Sequence, residues 1–138
     1  MHPRAQHLIE HLALTPHPEG GWFRQVYKSA ERVTRQRDGA TRSACTTIVF
    51  LLVAETRSEW HRVSADEVWH FYEGDALELS MRDETVVLDA NNRAHVIPAG
   101  AWQSARPLGE YALVGCTVAP GFEWDDFALE SGDASRPS

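Results

Sequence analysis

The sequence predicts an all-β fold, an antiparallel sandwich or barrel preceded by one short helix, and three observations carry that reading. Runs rich in β-branched and aromatic residues at 46–53, 67–72, 76–81, 85–88, 95–97 and 111–118 are short and separated by turn residues, as in antiparallel sheet proteins. Within one run Leu77, Leu79 and Met81 alternate with Glu78, Ser80 and Arg82, so that sheet has one buried and one wet face. Helical periodicity is confined to 2–14, where Ala5, Leu8, Ile9 and Leu12 form a single apolar stripe.

The helix is stopped by 15–21, Thr-Pro-His-Pro-Glu-Gly-Gly, because prolines do not continue a helix and paired glycines allow backbone angles closed to other residues. His17 reads there as a turn residue. A first strand is expected at 22–27. The polar stretch 29–42 reads as a loop or hairpin tip turning at Asp38-Gly39, with Arg32, Arg35, Arg37 and Arg42 solvated rather than gripping an anion. The run 48–53 does not alternate and requires cover on both faces, a partner subunit being one candidate. The small, polar residues 131–138 are expected to form a disordered tail behind a single domain spanning 1–130.

At 138 residues the chain is long enough for one domain with a real core. A formal net charge of -7 works against binding to phosphate backbones, so nucleic acid is not an expected partner. The longest apolar run, 48–54, falls far short of the roughly 20 residues that span a bilayer, and the N-terminus lacks a signal pattern. These features predict a cytoplasmic protein with no membrane partner. Cys45 and Cys116 lie in apolar stretches and are expected to be buried free thiols.

The richest segment for chemistry is 60–74, Trp-His-Arg-Val-Ser-Ala-Asp-Glu-Val-Trp-His-Phe-Tyr-Glu-Gly. Successive strand side chains face opposite ways. His61 therefore shares a face with Val63, and Glu67 shares one with Trp69 and Phe71, while His70 and Tyr72 point away. Gln103, after the Pro98–Gly100 turn, joins the inner set if its strand is in register. The predicted site is a small-molecule pocket with His61 and Glu67 as catalytic residues and Trp69, Phe71, Gln103 and Arg62 as ligand contacts.

These residues resemble a known family. His61-x-Val63-x-x-x-Glu67 with Gly74 is similar to the first motif of the cupin superfamily, usually His-x-His-x-x-x-Glu, and Pro98-x-Gly100-x-x-Gln103 to the second, which usually ends in histidine. More narrowly, the segments 17–22 (HPEGGW), 58–63 (SEWHRV), 66–70 (DEVWH) and 119–122 (APGF) resemble a cupin-like family catalogued as a domain of unknown function. The resemblance covers the chain from the first helix to about Leu129. It implies a cupin-type double-stranded jelly-roll barrel and a homodimer, with no settled activity.

In metal cupins three histidines and a glutamate hold the ion, whereas here Val63 and Gln103 stand in two of the histidine positions. His61, Glu67 and the Gln103 amide oxygen are left to hold a divalent metal weakly, since losing two imidazoles removes much of the affinity for late transition metals. No cofactor is therefore required. Without metal, a histidine beside a carboxylate suits proton abstraction next to a carbonyl. The expectation is an isomerase or epimerase acting on a small polar carbonyl compound or sugar derivative, with His61 as base and Tyr27 or Tyr111 as candidate proton donors. The alternatives are a metabolite-binding or sensing module and a weakly metal-binding, oxygenase-like enzyme. Fold-level analogy does not choose among them.

Overall fold

The structure, a computed structural model, describes residues 1–132. The part of the expected disordered tail from 133 onward lies outside the described residues. The elements are α1 (Pro3–His11), β1 (Thr15–Pro16), β2 (Trp22–Lys28), β3 (Arg32–Thr34), β4 (Thr41–Ser43), β5 (Thr46–Val53), β6 (Ser58–Val63), β7 (Asp66–Gly74), β8 (Leu77–Met81), β9 (Thr85–Leu88), β10 (Ala94–Ile97), β11 (Gln103–Pro107), β12 (Tyr111–Ala119), a 3-10 turn (Trp124–Asp126) and β13 (Phe127–Leu129). A six-stranded sheet in the order β1-β2-β5-β12-β7-β10 faces a five-stranded sheet in the order β13-β6-β11-β8-β9. Every strand pairing in both is antiparallel. This is the jelly-roll barrel with a short N-terminal helix that the sequence implied.

The inner faces pack Phe50, Leu52, Trp69, Phe71, Leu77, Leu79, Leu88 and Ile97 into one closed core. A second cluster lies outside the six-stranded sheet, where Ala5, Leu8 and Leu14 cover Leu51, Val53 and Leu113. This explains why 48–53 fails to alternate: Phe50 and Leu52 face the barrel, and Leu51 and Val53 face α1. Cover that a partner subunit was a candidate to provide comes here from the chain's own helix, with Ile9, Leu12 and Trp22 extending it. No described helix is long and apolar enough to cross a membrane.

The helix ends short of the expected 14, because Ala13 takes a positive φ of 53° and turns the chain into β1. The polar stretch after β2 differs more. In place of a solvated loop, β3 and β4 form a hairpin, and Arg35 is buried with its guanidinium bound to Asp38 and Asp126. Arg42 donates to the same Asp126 carboxylate, at 2.9 and 3.0 Å. Two of the four arginines thus fasten the hairpin to the 3-10 turn. The two cysteines are free, Cys116 buried and Cys45 partly so.

The glycine pair after Glu19 has a demanding geometry. Gly20 has φ of 110°, and a Cβ there would lie 2.3 Å from the Arg57 carbonyl oxygen. Both the left-handed backbone and the backbone contact forbid a side chain. Gly20→Ala is expected to cost at least about 2 kcal/mol, read as a lower urea midpoint with an unchanged slope. A midpoint within error of the parent would show that the turn is not held as described.

Candidate functional site

His61 lies on β6 of the five-stranded sheet and Glu67 on β7 of the six-stranded sheet, so the two project toward each other across the barrel interior. Both are buried, at 2% and 6% exposure. They line one cavity of about 60 Å³ together with His17, Glu19, Phe23, Ile48, Cys116, Phe122, Trp124 and Phe127. A buried water needs ~10–15 Å³ of such space, so the cavity suits a few waters or one small molecule. One wall is aromatic: Trp124 packs against Phe122, Phe127 and His17 with ring centres 4.8, 5.4 and 5.4 Å apart. The facing side carries the titratable groups, and the exposed Gln25 sits at the rim.

The direct carboxylate partner of His61 is Glu19. His61 Nδ1 lies 2.8 Å from Glu19 Oε2 in an ion pair and donates to the Glu59 carbonyl at 2.7 Å, and Ser58 Oγ donates to the same Glu19 oxygen. The other Glu19 oxygen lies 3.3 Å from His17 Nε2. Nδ1 being engaged, Nε2 is the His61 nitrogen left to the cavity, and it has no hydrogen-bond partner among the described residues. Burial works against charging His61, but the Glu19 carboxylate overrides it, with smaller help from Glu67 and the Glu59 carbonyl, and pushes the imidazole up to about 9. Glu19 in turn stays below the usual carboxylate range despite burial, because His61, His17 and Ser58 surround it. The pair is an imidazolium carboxylate at neutral pH.

Glu67 is held differently. Gln103 Nε2 donates to Glu67 Oε1 at 2.8 Å, and Gln103 Oε1 accepts from Trp69 Nε1 at 2.8 Å. The two contacts fix the amide's orientation, since only this one satisfies both neighbours. Burial pushes the Glu67 carboxyl up, against the pull of His61. Burial, with the neighbouring Glu67 carboxylate, raises the Cys116 thiol well above its ordinary range.

The site residues predicted from sequence are thus distributed unevenly. His61 and Glu67 meet at the cavity. Gln103 is fully buried beside His61 in register, where it braces Glu67 instead of lining the hollow. Trp69 and Phe71 share the inner face as parity required, but they lie deeper along β7, in the closed core rather than on the cavity wall. Arg62 points outward, its guanidinium 4.8 Å from the Trp102 ring centre, so it is a surface residue. Tyr72 is exposed on the outer face, across Gly115. Tyr27 is also exposed, and Tyr111 packs beside the helix with its hydroxyl donating to Glu73; neither lines the cavity. Glu19 and His17, read only as parts of a turn, are the functional residues that sequence reasoning missed. A glutamate locked between proline and two glycines, in a segment that must pack back onto a sheet, was the available signal.

The residues do not fit the metal centre of this barrel type. Val63 offers no donor and the Gln103 amide is spent on Trp69 and Glu67, so of the four positions only His61, through Nε2, and Glu67 still offer donors to the cavity. Among the described residues, no group of three or more His, Cys, Asp or Glu side chains is disposed to hold an ion.

Comparison with known proteins follows the same line. A hypothetical protein from Leishmania major is 32% identical, with a TM-score of 0.83 over 89% of this chain and 85% of that one. A Shewanella oneidensis protein is also 32% identical, at 0.78 over 91% and 83%. KdgF from Halomonas sp. shares the fold at 16% identity and a TM-score of 0.60, over 81% and 90%. No curated protein matches the chain. The sequence model of one family, described as Cupin superfamily (DUF985), matches residues 6–130, and on that match and the two relatives at 32% identity the chain belongs to this family.

Proposed function

We propose that this protein binds a small polar carbonyl compound between His61 and Glu67 and moves a proton on the carbon beside the carbonyl, as an isomerase or epimerase that needs no metal. The supporting observation is a pair of titratable groups on facing sheets with opposite surroundings. His61 is kept charged by Glu19, and burial raises the Glu67 carboxyl above its ordinary range against the pull of His61. Environments that separate two groups in this way assign acid and base.

A protonated ring has no lone pair with which to remove a proton. The role of base, expected of His61 from the sequence, therefore passes to Glu67, and His61 becomes the acid. In this reading His61 Nε2–H donates to the substrate carbonyl oxygen and Glu67 takes the α-proton. The C–H pair moves into the C–C bond and the carbonyl pair onto oxygen, leaving an enediol or enolate held by the imidazolium. Return of the proton by Glu67 to the neighbouring carbon isomerises, whereas epimerisation at the same carbon requires a proton delivered from solvent to the opposite face. Glu19 takes no proton: its oxygens are already occupied by His17, Ser58 and His61. The aromatic wall keeps water from the intermediate.

The test is incubation with short aldoses, ketoses and hydroxy-ketones in deuterated water, followed by proton NMR. Enzyme-dependent deuterium at the carbon beside the carbonyl is expected, with a bell-shaped pH profile. Its acid limb lies above the ordinary 4.5 of a glutamate and its alkaline limb near 9. A compound that binds but is recovered without deuterium would make the protein a binding module instead. Protein purified without chelator is expected to carry far less than one metal ion per chain by elemental analysis. Near-stoichiometric iron or manganese would overturn the metal-free reading.

A further inference from the structure

His17 lines the cavity but has no part in the proton transfer just described. Its side chain is buried, at 6% exposure, and both ring nitrogens lie against Glu19. The backbone N–H of Glu19 donates to His17 Nδ1 at 3.1 Å. That nitrogen must then carry a lone pair, so the ring hydrogen sits on Nε2, which lies 3.3 Å from Glu19 Oε1. Around the ring stand Phe23 at 4.6 Å, edge to face, and Phe50, Trp124 and Phe127 at 5.4 to 5.8 Å. The ring plane has no room to turn without losing these contacts.

We infer that His17 is a positioning residue: it holds the Glu19 carboxylate by one oxygen so that the other is presented to His61 Nδ1. The inference rests on the acid role of His61 proposed above. A glutamate side chain has three torsions to fix, and the N–H that stands beside Oε1, on the side away from the His61 contact, is that of His17. With Nδ1 accepting from the Glu19 N–H the ring is the neutral tautomer, and burial, helped by the positive charge of His61, lowers its pKa against the pull of the Glu19 carboxylate. It therefore orients Glu19 without competing for its charge. The remaining titratable groups on the cavity are Glu67 from β7, which accepts from Gln103, and Cys116 from β12. This separates the site into an orienting half, His17-Glu19-His61, and a base half, Glu67-Gln103-Trp69.

Two substitutions distinguish orientation from packing. His17→Phe keeps a flat ring among the aromatic neighbours and removes the donor; His17→Gln sacrifices the ring but retains an N–H that reaches Glu19. In the unmodified protein, nitrogen-15 NMR is expected to show His17 as the neutral Nε2–H tautomer and a low-field proton resonance for His61 Nδ1–H. His17→Phe is expected to lose that resonance and to lower turnover on the order of tenfold, the cost of one orienting hydrogen bond. His17→Gln is expected to restore both in part. A His17 found as the Nδ1–H tautomer or as a cation, or a His61 resonance equal in all three proteins, would overturn the inference. The NMR readouts need no substrate, so they stand or fall separately from the proposed reaction.

Discussion

Replacing Glu67 with glutamine is expected to reduce solvent-deuterium incorporation by about 10²–10⁴-fold, the usual contribution of a positioned base, while leaving the fold and ligand affinity close to those of the parent. The amide oxygen can still accept from Gln103 Nε2, so the Trp69-Gln103 brace survives. What is lost is the lone pair that takes the proton. His61→Gln should also slow exchange, but through the other limb of the profile: the alkaline loss near 9 disappears because the titrating acid is gone. If Glu67→Gln exchanged protons at the parental rate, the base would have to be sought elsewhere.

The second large effect falls on stability. Glu19→Ala leaves a buried imidazole without its partner, and breaking a buried pair costs about 3–5 kcal/mol, measurable as a lower urea midpoint. The pH dependence gives the sign. The native pKa of His61 is raised from 6.5 to about 9, so the stability it contributes is fully present below 6.5 and is lost as pH rises through 9. The native value of Glu19 is depressed. Its contribution is present above 4.5 and is lost as pH falls through that lower value. Glu67 acts with opposite sign to Glu19: its raised native value makes ionisation unfavourable, so stability falls as pH rises above 4.5. Removing Glu19 should flatten the alkaline loss, since His61 then has no reason to stay charged. A variant with the parent's alkaline profile would show that Glu19 is not what charges His61.

Alternation along a strand reports which face a side chain takes, and that much of the site was legible. His61, Glu67 and Gln103 all point inward, and Arg62, Tyr72 and Trp102 do not share their buried positions. Alternation does not report depth along the barrel axis. Trp69 and Phe71 share the face of Glu67 yet lie beyond the cavity floor, because β7 runs on between β12 and β10 into the packed end. Nor does it reach residues outside strands. His17 and Glu19 occupy a turn far from His61 in the chain, and only the closing of that turn over β6, where Glu59 N–H donates to the Glu19 carbonyl at 2.7 Å, brings them together.

The same limit explains the elements that were read as polar connections. The β3–β4 hairpin has almost no apolar pattern, and its position depends on Arg35 and Arg42 meeting Asp126 from more than eighty residues away. The strand β13 is three residues long and pairs only with β6. Both depend on long-range contacts instead of local propensity; β13 supplies Phe127 to the aromatic wall, and the hairpin ties down the 3-10 turn that carries Trp124. By contrast, the cover of α1 over Leu51 and Val53 follows from two patterns visible in the chain, an apolar helix stripe and a strand with no polar face.

The charge state of His61 decides between acid and base, and nitrogen-15 NMR of the unmodified protein across a pH series measures it directly. The ring is expected to be an imidazolium at neutral pH, with a midpoint about 9 and Nδ1–H retained after Nε2 loses its proton. A neutral ring at pH 7, titrating at or below the ordinary 6.5, would contradict the Glu19–His61 pairing and the division of roles built on it.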